Sequence, residues 1–262
     1  MKEGIRLVLL YLLIGLGATI IGSLAGFGGG ILIKPILDFL GHYDLKTIGF
    51  LSASTVFAMA VVSVYTRRRT LKEMRLDHAI LFAIGSILGG LFGKGIFRTF
   101  SHLAWIGMAQ TGALIIIFSV VLYYVNHKSQ FKQFHIKSRV MVLVVGLILG
   151  LMASFLDIGG GPHNVAILSL LFAFDTKKAG FYSIFIIFFS QLASLVSTVI
   201  SGNVSSMDLS MLLFMVIGGI SGGVIGSRLA KFLPIETVEK VFNVTIFLLI
   251  LLNIYNFIQY MV

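Results

Sequence analysis

Lysine, aspartate and histidine are costly in a chain as apolar as this one, and here each stands beside a run of glycines. The first run is FGGGILIKP, residues 27–35, where Gly28, Gly29 and Gly30 lead into Lys34 and Pro35. The second is DIGGGPHN, residues 157–164, with Asp157, Gly159, Gly160, Gly161, Pro162, His163 and Asn164. Three successive glycines break a helix, leave backbone N–H groups unpaired and let a ligand come close to the main chain. A helix that begins at such a break points its positive dipole end into the gap, which suits an anion. Lys34 adds a full positive charge if it faces that gap; otherwise its aliphatic stem carries the amine to an interface. Asp157 is placed to relay protons, to pair with Lys34 or to cap the following helix. His163 titrates near neutrality, so with Asp157 it is a candidate for coupling transport to protons, or else a structural hydrogen-bond donor. Asn164 and Gln191, together with Ser52, Ser54, Thr55, Ser183 and Ser190, either line a cavity or tie helices to one another.

Other chemistries find no support. The chain has no GxxxxGK[ST] for nucleotide phosphates, no HExxH and no GxSxG elbow. Its six histidines do not cluster as metal ligands, and without cysteine there is neither disulfide nor thiolate chemistry. No nucleophile–base pair stands out, so neither an enzyme nor a cofactor is expected.

The elements that must position these residues follow from composition. Of 262 residues 58% are apolar and 11% charged, and the mean hydropathy is +1.03. A soluble domain needs a more charged surface. Several windows exceed the roughly 18 apolar residues needed to cross a bilayer core of about 30 Å. Apolar segments fall at 5–26, 30–40, 47–65, 78–97, 103–125, 140–158, 162–174, 179–200, 209–230 and 241–262. None shows the alternation of a barrel strand, so the chain reads as an all-α polytopic membrane protein. The first segment lacks a small-x-small cleavage site and is expected to stay as a span. Segments 30–40 and 162–174 are too short to span alone; each follows a triple glycine, as a broken or re-entrant helix does. The net charge of +10 does not indicate nucleic acid, because the basic residues sit in short loops where membrane topology puts them.

The chain also repeats itself. A shift of 131 positions lays Gly28–Gly30 on Gly159–Gly161, Ser52 on Ser183, and DLKTIGFLS at 44–52 on DTKKAGFYS at 175–183. Further along, IGSILGGLFG at 84–93 answers IGGISGGVIG at 217–226, now offset by 133. Gly85, Gly89, Gly90, Gly218, Gly222 and Gly223 in these stretches are expected to let helices pack closely. Basic residues crowd 66–75 (Arg67, Arg68, Arg69, Lys72, Arg75) and 126–139 (Lys128, Lys132, Lys137, Arg139), which places both loops in the cytoplasm. The second-half counterpart of the first loop, SGNVSSMD at 201–208, has no basic residue and is expected outside. Equivalent loops on opposite sides mean inverted halves: an N-terminal repeat 1–125, a basic cytoplasmic linker 126–139 and a C-terminal repeat 140–262, with both chain ends outside. Inverted repeats with broken helices are a transporter signature, with the site near the membrane midplane.

GSLAGFGGGILIKPIL, with its echo GLMASFLDIGGGPHNVAIL, resembles the sulfite exporter TauE/SafE family, also called the TSUP permeases. The likeness covers essentially the whole chain. It rests on Gly26, Gly28, Gly29, Gly30 and Pro35 in the first repeat and on Gly159, Gly160 and Gly161 in the second. Asp157 where the motif has glycine, and Ala166 where a second proline would stand, are departures that bear on substrate identity. The resemblance implies a multi-pass permease of the bacterial inner membrane, moving sulfite, thiosulfate or a small organosulfonate such as sulfoacetate. The expected ligand set is therefore Gly28, Gly29, Gly30, Lys34, Gly159, Gly160, Gly161, His163, Asn164 and Gln191, with Gly26, Pro35 and Pro162 shaping the breaks. Expected partners are a small anion, the lipid bilayer, a coupling proton or sodium ion and a further copy of the chain. Two alternatives stay open: a cation or proton-coupled carrier using Asp157, and a non-transporting interaction protein. The surplus of Lys34, Lys94 and Arg228 over membrane acids weighs against the first.

Overall fold

The computed structural model describes residues 2–68, 70, 75–103, 105–156, 158 and 160–261. Arg69 and Lys72 of the first basic loop, and Asp157 and Gly159 of the second glycine motif, lie outside the described residues. Among the described residues there are ten α-helices and no strand. They are α1 (Lys2–Ala25), α2 (Gly30–Leu40), α3 (Leu45–Thr66), α4 (Leu76–Phe100) and α5 (Ile106–Asn126) in the first half. The second half holds α6 (Arg139–Phe155), α7 (Pro162–Phe172), α8 (Thr176–Ile200), α9 (Leu212–Phe232) and α10 (Ile235–Gln259). Seven are long and apolar enough to cross a bilayer: α1, α3, α4, α5, α8, α9 and α10. The 11-residue α2 and α7 and the 17-residue α6 are shorter. Ile116, Val120, Val244 and Leu248 turn outward at half exposure or more, on α5 and α10. Such a surface is a liability in water and a requirement in lipid. The chain is a multi-pass membrane protein.

Helices matched by the repeat make matched contacts. α1 packs along α9 while its counterpart α6 packs along α4, and α3 on α9 is answered by α8 on α4. Both long seams are glycine-lined: a Cβ on Gly89 would sit 2.0 Å from the Leu147 carbonyl oxygen, and one on Gly222 would sit 2.4 Å from that of Leu16. Small residues let backbones touch where no hydrophobic effect drives helices together. The repeated DLKT/DTKK stretch has a local cause as well. Asp44 accepts from the Thr47 N–H at 3.1 Å and Asp175 from the Lys178 N–H at 2.9 Å, so each caps the start of its long helix, α3 or α8.

α3 and α8 lie against each other and pass in opposite senses. The start of α8 and the end of α3 line one cavity of about 450 Å³; the start of α3 and the end of α8 line another of about 230 Å³. At about 1.5 Å per residue the two mouths are some 30 Å apart. Arg75 pairs with Asp77 at 2.9 Å and Arg139 approaches the same carboxylate at 3.8 Å, which brings the two basic loops to one face. The linker is held by the end of α7, where the Leu170 and Leu171 carbonyls accept from the N–H groups of Phe134 and Ile136.

Candidate functional site

α1 stops where the chain turns left-handed. Gly26 has φ +84° and Gly28 φ +70°, a region that side chains make costly. Both donate back to the Gly22 carbonyl, at 2.9 and 3.3 Å, and α2 starts afresh with Gly29 as its N-cap. Pro35 lies inside α2, and its carbonyl accepts from Asn256 Nδ2 at 3.0 Å. In the second half α6 ends at Phe155, Gly160 takes φ +99°, and α7 begins at Pro162 behind the N-cap Gly161. Proline suits that first helical position because its missing N–H would be unpaired anyway. The two breaks meet. A Cβ on Gly30 would fall 2.0 Å from the Ile158 carbonyl oxygen, and one on Gly26 would fall 2.1 Å from the Cα of Gly180.

Around this meeting point lie polar side chains that the protein itself does not satisfy. Ser52, Asn164 and Ser183 are fully buried, and His163 and Gln191 are nearly so. The hydroxyls of Ser52 and Ser183, both ring nitrogens of His163, both amide atoms of Asn164 and Nε2 of Gln191 have no hydrogen-bond partner in the protein. Ser52 Oγ is 3.1 Å from the position a Gly30 Cβ would take, and Asn164 Nδ2 is equally close to that of Gly160. Each such atom costs about 1–3 kcal/mol when left unpaired. Thr55 and Ser190 differ, for their hydroxyls bond back to the Leu51 and Ile187 carbonyls of their own helices at 2.7 and 3.2 Å. Ser54 is only partly buried. Ser52 and Ser183 stand at corresponding positions 131 residues apart, which puts one unpaired hydroxyl on α3 and one on α8.

Lys34 is buried, 4% exposed, and does not snorkel to the surface. Its Nζ donates to Gln110 Oε1 at 2.6 Å and to the Leu156 carbonyl at 2.8 Å. Gln110 Nε2 donates in turn to the Phe155 carbonyl at 2.7 Å. A cation from the first break thus clamps the carbonyl end of α6, immediately before the second, where a helix dipole favours positive charge. One turn along α2, Asp38 accepts from the Tyr260 hydroxyl at 2.7 Å. Gln110 carries no mark in the sequence beyond being a lone amide in an apolar span, and Asp38 none beyond being an acid in a half-helix. Among the described residues no group of three His, Cys, Asp or Glu stands close enough to hold a metal.

The sequence profile described as sulfite exporter TauE/SafE matches residues 11–252. The chain belongs to the TauE/SafE family. With that membership it is a membrane transporter and not an enzyme. The "Probable membrane transporter protein YunE" of Bacillus subtilis is 28% identical over 214 residues, covering 72% of this chain and 77% of that protein. The "Probable membrane transporter protein MJ0441" of Methanocaldococcus jannaschii is 26% identical over 200 residues, 74% of this chain and 73% of its own.

Proposed function

We propose that this TauE/SafE protein is a secondary transporter of a small sulfur oxyanion or organosulfonate, such as sulfite, thiosulfate or sulfoacetate, in the cell inner membrane. The substrate binds where the two glycine breaks meet, and access alternates between the two faces. The observation that carries this reading is the set of buried, unpartnered polar groups on Ser52, His163, Asn164, Ser183 and Gln191. An oxyanion presents several acceptor oxygens, and hydroxyl, amide and imidazole N–H donors together with the first N–H groups of α2 suit them. Lys34 adds positive charge beside the break while holding α6, Gly28, Gly29, Gly30, Gly160 and Gly161 supply the close backbone, and Gly159 of the same run is proposed as a further ligand. Opposed running of the repeat-related α3 and α8 supports residues 1–125 and 140–262 as inverted repeats, joined across 126–139 on the cytoplasmic side. Asp157 and His163 are the residues assigned to coupling with a proton or sodium gradient. Its bilayer is the setting for a single chain or a homo-oligomer.

The test is flux of labelled sulfite, thiosulfate and a small sulfonate into proteoliposomes, with sulfate and sodium as controls. Saturable flux of one sulfur anion, cut at least tenfold by Asn164→Ala in protein that stays folded, is expected. Sodium flux without anion flux would replace this reading with the cation carrier, and flux of neither would leave the family assignment without this substrate class.

A further inference from the structure

The two cavities are one feature built twice. Under the repeat, Arg67 corresponds to Thr198, Thr70 to Ser201 and Lys177 to Lys46, and the later offset matches Lys231 with Arg98 and Ile235 with His102. The first of each pair lines the larger cavity and the second lines the smaller. Each is strongly basic. The larger carries Arg67, Lys177, Lys178 and Lys231 against Asp175, whose carboxylate is already spent capping α8. The smaller carries Lys46, Lys94 and Arg98, and no acid is among the described residues that line it.

Arg67 sets the larger cavity apart from a patch of surface lysines. It is 5% exposed, one guanidinium nitrogen donates to the Ser23 carbonyl, and its Nε has no partner in the protein. Burial pushes its pKa down to about 10, so at neutral pH it still carries its charge. Ser23 lies three residues before Gly26, about 5 Å along α1. Phe181 and Tyr182 on the facing wall run directly into Ser183. The Cα of Gly180, immediately before them, is 2.1 Å from the position a Gly26 Cβ would take, so the wall of the cavity belongs to the stretch of α8 that touches the first glycine break and carries one of the unpaired hydroxyls.

We infer that the larger cavity is an outer anion site, where a small oxyanion is held against Arg67 before passing the Phe181–Tyr182 wall, and that the smaller is its counterpart at the opposite mouth. This rests on the transporter reading above. A phospholipid headgroup shares the oxyanion chemistry, but recognition of anionic lipid belongs to the cytoplasmic leaflet, whereas a path needs basic mouths at both ends. Low-dielectric walls carrying one sign of charge concentrate the opposite ion and speed its capture.

The experiment is equilibrium binding of radiolabelled thiosulfate, and separately sulfite, to the purified full-length chain, beside flux in proteoliposomes. The wild type is expected to bind a tight anion, lost in Asn164→Ala, and a weaker class sensitive to ionic strength. Arg67→Gln, and independently Lys177→Gln, which leaves the bond to Ser23 in place, should weaken that second class about tenfold and raise the half-saturating flux concentration similarly. One binding class, untouched by both substitutions in a chain that still transports, overturns the outer site and leaves the central one standing. Loss of all flux and of the Asn164-dependent class, with Arg67-dependent binding retained, sinks the transporter reading and the waiting role with it. Bound phosphatidylglycerol or cardiolipin that Arg67→Gln removes in native mass spectra, with no second class of thiosulfate or sulfite, makes the cavity a headgroup site and also overturns the proposal.

Discussion

Gly30→Ala is the sharpest probe of the meeting between the two breaks. Gly30 is helical, so alanine meets no penalty from φ there; the whole effect is steric. The new methyl would lie 2.0 Å from the Ile158 oxygen and 2.5 Å from its carbonyl carbon. Both are backbone atoms and no rotamer change relieves the clash. To reach even a tight 3.0 Å the breaks must part by about 1 Å, and overpacking of that kind costs about 1–3 kcal/mol. Taken at about 2 kcal/mol, it shifts the balance between touching and separated breaks roughly thirtyfold, since about 1.4 kcal/mol is tenfold.

Two substitutions calibrate that figure. Gly17 and Gly95 have nothing within 4 Å of a Cβ, so Gly17→Ala and Gly95→Ala should leave flux within twofold of wild type and gain a little helix propensity. Gly29→Ala should fall between, because its methyl meets the Thr19 methyl at 2.8 Å and backbone only at 3.2 Å. Labelled-anion flux in proteoliposomes and thermal unfolding in detergent are measured on all four proteins. The expected order of flux is Gly17→Ala and Gly95→Ala, then Gly29→Ala, then Gly30→Ala at a tenth of wild type or less. Wild-type flux and half-saturation in Gly30→Ala would refute the idea that this contact belongs to the transport path, and so would an equal loss in Gly17→Ala.

Other perturbations separate binding from folding. Ser52→Ala and Ser183→Ala remove hydroxyls that the protein leaves unpaired, so the unfolding temperature should hold or rise while anion affinity drops about fivefold; a clear fall in stability would make these hydroxyls structural. Gln110→Ala deletes the bridge between Lys34 and the Phe155 carbonyl and should cost about 2–3 kcal/mol in denaturant unfolding, with unchanged stability counting against the clamp. Gly89→Ala and Gly222→Ala drive a methyl into backbone at equivalent places on the two glycine seams and should lower the unfolding temperature alike, whereas a one-sided effect would deny the equivalence of the seams.

What the sequence made legible was whatever is local or repeated. Ten apolar segments became ten helices because a span must satisfy its own backbone. The glycine runs became helix breaks because positive φ at Gly26, Gly28 and Gly160 leaves few other residues. The repeated DLKT/DTKK stretch became a pair of N-caps because that bond closes within three residues. Lys34 and Gln110 are 76 residues apart and meet only through the packing of three helices, and no local pattern links them. Arg67 hid among the charges that set topology, since burial is what distinguishes it from Arg68 next door. The unpaired state of Ser52 was equally unreadable: Thr55, one turn on, is as polar and as buried but bonds its own helix.

The seams also bear on how such a chain would move. α1 is tied to α9 and α6 to α4 by backbone-close contacts, and α3 and α8 pack on the same partners, α9 and α4. The natural rigid bodies are therefore α1–α3–α9 and α6–α8–α4, each borrowing one helix from the other half of the sequence. The hydrophobic core divides in part along the same line, one cluster holding Tyr11, Leu51, Met59 and Met215 and another Phe82, Val142, Leu149 and Phe181, while Ile184 and Ile187 of α8 reach into the first and Ala25 of α1 into the second. The bodies abut along α3 and α8, the helices that carry Ser52 and Ser183. Alternating access by rocking should then displace α3 and α8 along that contact and leave the glycine seams closed. The chain has no cysteine of its own, so introduced pairs report without background. A disulfide across α4 and α6 should leave flux intact, and one across α3 and α8 should stop it until reductant is added. Flux that fails with the first crosslink as well as the second would mean that the halves move as the sequence divides them, since both crosslinks join the two halves.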